Sequence, residues 1–114
     1  MSIPNLDDYF IPAGAGSHHR IFPGVEIRTT PGLNMQFSVV HLEPHSVVEL
    51  HQHPHEQMGI LISGRIEFTI GGLSKVLHPG DIWRIPGNTP HKVVTLDEPA
   101  VALDVFQPIR EDYL

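Results

Sequence analysis

The chain has no cysteine, so neither a disulfide framework nor a thiolate metal site is open to it. It has no apolar run near the roughly 20 residues that a membrane-spanning helix needs. The N-terminal MSIPNLDDYF has no basic run leading into an apolar one, so no secretory signal is expected. Cationic residues are few: seven Lys and Arg against thirteen Asp and Glu give a formal charge of −6. They are not clustered, which argues against a nucleic-acid or anionic-membrane partner. The sequence also shows no 33- to 45-residue repeat, low-complexity tract or interdomain linker. These absences lead to the expectation of a soluble, cytoplasmic, single-domain protein. Its 114 residues suffice for one core, with residues 1–20 expected as an N-terminal arm and 21–114 as the domain.

Punctuation, by contrast, is abundant. Eleven Pro and ten Gly divide the chain into short segments about ten residues apart, the spacing of an all-β sandwich or barrel that leaves no room for long helices. Strands are predicted over 25–30, 34–43, 47–51, 57–62, 66–70, 73–77, 81–85, 92–96 and 100–106. Gly71-Gly72 between two of them predicts a two-residue hairpin, because glycine accepts positive φ at both turn positions. Thr30-Pro31-Gly32-Leu33 fits a type II turn, with Pro at its second position and Gly at its third.

Nine His exceed Lys and Arg combined, and their clustering carries more information than their number. In His51-Gln52-His53-Pro54-His55-Glu56-Gln57, the two outer members of the H-x-H lie two residues apart at the end of a predicted strand. Side chains so spaced share a face, and two imidazoles can enter one small volume. His91 follows the turn-rich Pro86-Gly87-Asn88-Thr89-Pro90 and is the candidate third imidazole, with the Gln57 amide oxygen as a fourth ligand. His18, His19, His45, His55 and His78 lie in Gly-, Ser- or Pro-rich segments and are expected to be solvated. His41 stays open, since Met35, Phe37, Val39 and His41 share one strand face that could bring it near the metal pocket.

Together these residues resemble the cupin family. His51, His53, Gln57 and Gly64 fall on its first motif, and Gly80, Pro86 and His91 on its second. The resemblance implies a double-stranded β-helix, the jelly-roll barrel, which agrees with the punctuation. Two positions depart from the family pattern: Gln57 stands where most cupins have Glu, and Thr95 where the second motif often ends in Asn. The form H-x-H-P-H-E-Q and the ending from Asp104 to Leu114 resemble the pectin-degradation, KdgF-type group. That likeness implies conversion of 4,5-unsaturated uronates, from pectin or alginate breakdown, into the linear keto form, with Asp104, Phe106 and Arg110 at active-site positions.

The residues by themselves allow more than one role. Asp104 and Phe106 share a strand face, Asp104 could move protons and the planar Arg110 fork suits a carboxylate. Equally, Asp104 and Arg110 could form a surface ion pair, and Phe106 could be a pocket wall. A neutral Gln57 beside three His leaves the full charge of one divalent ion, whether Zn, Ni, Mn, Co or Fe. That favours Lewis-acid over redox chemistry. The expected partner is a small acidic sugar. A cupin dioxygenase and a non-catalytic sugar-acid sensor remain the alternatives, and exposed edge strands predict a homodimer.

Overall fold

The structure is a computed structural model and describes residues 9–114. Ten strands follow in order: β1 Ser17–Phe22, β2 Val25–Pro31, β3 Gln36–Leu42, β4 Val47–His51, β5 Glu56–Ser63, β6 Ile66–Ile70, β7 Leu73–Leu77, β8 Ile82–Ile85, β9 His91–Thr95 and β10 Ala100–Gln107. They build a six-stranded sheet, β1-β2-β3-β10-β5-β8, and a four-stranded sheet, β4-β9-β6-β7. All pairings are antiparallel, and the two sheets close face to face as the expected all-β jelly roll.

Three local expectations change. β1 occupies part of the segment expected to be an irregular arm, and residues 1–8 of that arm lie outside the described residues. Pro23-Gly24 supplies the hairpin turn into β2, with Ser17 opposite Thr29 and Arg20 opposite Glu26. The type II turn at Pro31-Gly32 does not form. β2 runs through Pro31, Gly32 is absent from the positive-φ glycines, and its N–H bonds the Met35 carbonyl at 2.6 Å, so the reversal falls one step later. The β3 face carrying His41 points outward: Met35 and Phe37 are 52% and 51% exposed, whereas Gln36, Ser38, Val40 and Leu42 are buried. His41 is exposed and pairs with Glu26 and Val101, at the end of β3 away from the metal pocket; with apolar residues on both faces of the strand, alternation alone does not say which is inner. The Gly71-Gly72 hairpin forms as expected, with φ of 55° and 82°.

The inner face of the larger sheet is organised in rows. Val25, Leu42 and Ala100 pair across the strands, followed by Ile27, Val40, Ala102 and Leu61. These pack with Val48, Ile66, Phe68 and Leu77 of the other sheet into the apolar core. The next row is Thr29, Ser38, Asp104 and Gly59, and the last contains Gln36, Phe106 and Gln57. The core therefore fills one end of the barrel, and polar groups line the other.

Candidate functional site

At the polar end, β4 and β9 bring two imidazoles together as direct cross-strand partners, His51 opposite His91. The register contains a bulge: Val48 pairs with Val93, so three steps along β4 match two along β9. Without the extra residue, Leu50 would take the place opposite His91. The bulge re-aims His51 into the barrel, a role such irregularities often have beside functional sites. His53 lies beyond the end of β4, in the loop, so the shared-strand reading of His51 and His53 gives the right grouping for a different reason. That loop is held by its neighbour, since the Asn88 N–H donates to the His53 carbonyl at 2.7 Å.

The ligand nitrogens of His51, His53 and His91 lie within 4.8 Å of one another. Each Nδ1 is 2.8 to 3.1 Å from a backbone carbonyl two residues away: Glu49 for His51, His55 for His53 and Thr89 for His91. A carbonyl only accepts, so each Nδ1 carries the hydrogen and each Nε2 is left with a free lone pair. His91 Nε2 is buried with no hydrogen-bond partner. Burial holds all three imidazoles below their ordinary pKa, His91 at about 4, which keeps those lone pairs available. His53 Nε2 also faces Gln57 Oε1 at 3.2 Å. With Nδ1 protonated this is a contact between two acceptors, unfavourable unless a cation lies between them. The donor set, an orphaned buried nitrogen and opposed lone pairs fit one divalent ion held by His51, His53, His91 and Gln57.

Behind this group lies a buried carboxyl. Asp104 Oδ1 accepts from Gln57 Nε2 at 3.0 Å and from Trp83 Nε1 at 2.9 Å. Burial pushes its pKa up to about 6, opposed by those two hydrogen bonds and by the charge of Arg110. Asp104 and Arg110 do not form the surface ion pair that the sequence also allowed. Arg110 is buried and gives both arms of its fork to Asp112, at 3.1 Å each, while its guanidinium lies 3.8 Å from the Tyr113 ring centroid. The Arg110 backbone N–H bonds Gln36, which in turn donates to Thr29. This polar network fastens the tail over the barrel mouth. Phe106 is a buried wall, edge-on to both His53 and Tyr113.

A cavity of about 50 Å³ is lined by His51, Gln57, His91, Asp104, Arg110 and Tyr113 on its polar side and by core residues such as Val40, Ile66 and Phe68 on the other. Sequence reasoning missed Trp83 and Tyr113; the only signal for the first was that it is the sole tryptophan. It also expected His55 and His19 to be solvated, yet both are half-buried. His19 Nε2 meets the Tyr113 carbonyl at 2.9 Å, and the His55 ring lies against His53. Thr95, the second departure from the motif, has a packing role: its hydroxyl accepts from Ser46 N–H and reaches the Glu43 carbonyl at 2.7 Å.

A cupin-domain family model matches residues 38–106, and the chain belongs to the cupin family. Within it, the chain is a small cupin that resembles KdgF. It is 34% identical over 76 residues to the pectin degradation protein KdgF of Dickeya dadantii, covering 66% of this chain and 69% of that protein. It is 31% identical over 67 residues to the H2HPP isomerase of Bacillus subtilis, covering 57% of this chain but 28% of that one. The structure of KdgF from Halomonas sp. superposes with a TM-score of 0.79 at 26% identity, over 90% of this chain and 100% of that chain. Bacillus subtilis oxalate decarboxylase, a protein with Mn(II) centres, superposes with a TM-score of 0.73 at 27% identity, over 83% of this chain and 29% of the other.

Proposed function

We propose that this protein is a metal-dependent cupin enzyme that opens and tautomerises the ring of 4,5-unsaturated uronates released from pectin or alginate. The observation that carries the reading is a buried carboxyl, raised to about 6, one hydrogen bond away from an amide whose oxygen faces His53 Nε2, one of three clustered imidazoles. The likeness to KdgF supports the substrate class. A divalent ion on His51, His53, His91 and Gln57 would supply Lewis-acid affinity for the sugar carboxylate and its adjacent oxygen.

The reaction relocates one proton and needs no oxidant. The anomeric hydroxyl loses its proton as the C1–O5 bond breaks, and C4 gains one as the enol at C5 becomes a ketone. Asp104 takes and returns that proton, since a carboxyl titrating near 6 has both forms populated close to neutrality. Arg110 exchanges its Asp112 partner for the sugar carboxylate, and Phe106 forms the wall against the ring. A cavity of about 50 Å³ holds only a few waters.

The test follows the ultraviolet absorbance of unsaturated galacturonate. Asp104→Asn is expected to lower turnover by about 10²–10⁴-fold with metal content unchanged, and Arg110→Ala to act chiefly on KM. If the parent, loaded in turn with Zn, Ni, Mn, Co and Fe(II), never exceeds spontaneous ring opening, the enzyme reading fails and sugar-acid binding without turnover replaces it. Oxygen uptake tied to bound iron would favour the dioxygenase instead.

A further inference from the structure

We infer that Trp83 is a positioning residue for Gln57: its indole N–H, passing over the side-chain gap at Gly59 to Asp104, fixes the direction of the Gln57 amide and so turns the amide oxygen toward the three imidazoles. This rests on the reading of Gln57 as a metal ligand.

The argument is one of hydrogen-bond polarity. A glutamine amide can point either way, and nothing in its own geometry selects the oxygen as the end that meets a cation. An indole N–H can only donate. The Asp104 carboxylate only accepts, and the Trp83 Nε1–H at 2.9 Å holds its Oδ1 where it meets Gln57, so the Gln57 group 3.0 Å from that oxygen is the NH2 end. The carbonyl oxygen then faces His53 Nε2 at 3.2 Å. Turned over, the amide would set its oxygen against the carboxyl and its hydrogens against the metal position, where no ligation is possible.

Gly59 makes this chain of contacts possible. It pairs with Asp104 on one side and Trp83 on the other, in the interior of β5 where glycine is otherwise unfavourable. A Cβ at this position would lie 2.4 Å from Asp104 Oδ1 and 2.4 Å from both Nε1 and Cε2 of Trp83. The missing side chain is thus the space through which the indole reaches the carboxyl. Phe68, with its ring centroid 5.1 Å from that of Trp83, holds the indole from the opposite sheet.

The test is a double-mutant cycle read by cobalt(II) titration, using both the dissociation constant and the ligand-field spectrum of the bound ion. Trp83→Phe keeps a ring in the core and removes only the donor. In the parent it is expected to weaken cobalt(II) binding about ten-fold, at the low end of the effect of residues that support metal ligands, and to shift the spectrum toward that of Gln57→Ala. In the Gln57→Ala background the same substitution is expected to change neither quantity. Equal weakening in both backgrounds would mean that Trp83 acts through packing, and the inference would be wrong. It would equally be wrong if Gln57→Ala weakens binding while Trp83→Phe does not. Should Gln57→Ala itself leave affinity and spectrum unchanged, Gln57 is not a ligand, and the inference falls with the reading beneath it. If Trp83→Phe does not fold, Trp83→Leu, which likewise removes the donor and leaves Gly59 and Asp104 in place, carries the same comparison with the same outcomes.

Discussion

The two ends of the inner sheet face are made by the same strands in the same register, yet they do opposite things. At one end Val25, Leu42, Ala100 and Leu61 are sealed into the core by area alone, an effect that is non-directional and tolerant of which apolar group supplies it. Further along lie Asp104 and then Gln36 and Gln57, with Arg110 reaching in from the tail; these are buried too, but each is held by a specific partner. Buried polar groups cost stability unless they are paired. His91 Nε2, beside the His51 and His53 rings, is an exception, buried without a partner where a cation fits; His55 Nδ1 is another. The difference teaches that the core end carries stability and the other end carries direction.

Substitutions at the two ends should separate these roles. The largest effect is expected from His91→Ala, which removes the orphaned buried donor: divalent-metal affinity should fall by more than the roughly 10–100-fold lost when only a supporting residue is changed. The folded metal-free protein should persist, as circular dichroism and metal analysis together will show. A variant that keeps its metal would remove His91 from the ligand set. Next comes Leu61→Ala at the core end, expected to cost about 2–5 kcal/mol in denaturant unfolding while metal stoichiometry per folded chain stays the same. Loss of metal without loss of stability there would erase the distinction between the ends.

The smallest effect is the pH response of the metal-free protein, to which the buried groups of the polar end contribute most. Burial lowers the pKa of His51, His53 and His91, the last from 6.5 to about 4. The unfolded chain therefore takes up protons first, and the stability these groups confer, full above about 6.5, is lost as pH falls toward 4. Asp104 works in the opposite sense. Its pKa rises from 3.8 to about 6, so its contribution is full below 3.8 and lost as pH rises through 6. Three imidazoles outweigh one carboxyl, so the melting temperature should fall on acidification, and more steeply in Asp104→Asn. A flat profile between pH 6.5 and 4 would show that the imidazoles do not titrate as their burial implies.

How much of this was legible beforehand differs from residue to residue. The Gly71-Gly72 hairpin and the shared strand face of Asp104 and Phe106 follow from local rules, positive φ and a period of two, that need no knowledge of the rest of the chain. The grouping of His51, His53 and His91 was legible as well, but its cause was not: a β-bulge, invisible to alternation, turns His51 inward. Alternation does not say which side of β3 is inner; packing against the other sheet decides it and turns His41 outward. β1 was hidden in a Gly-rich segment whose pairing with β2 is a tertiary fact.

The class of fold, the grouping of three imidazoles and the lack of any thiolate ligand in this chain could be read before any coordinates, because residue type and short-range spacing decide those. Only the tertiary structure decided that Arg110 pairs with Asp112 rather than Asp104, that Gly59 is a passage between Trp83 and Asp104, and which end of the Gln57 amide faces the imidazoles. Each of these depends on atoms brought together from separate strands or from the tail folded back on itself. Hydrogen-bond polarity and close packing act over about 3 Å, a distance the order of residues along a chain does not encode.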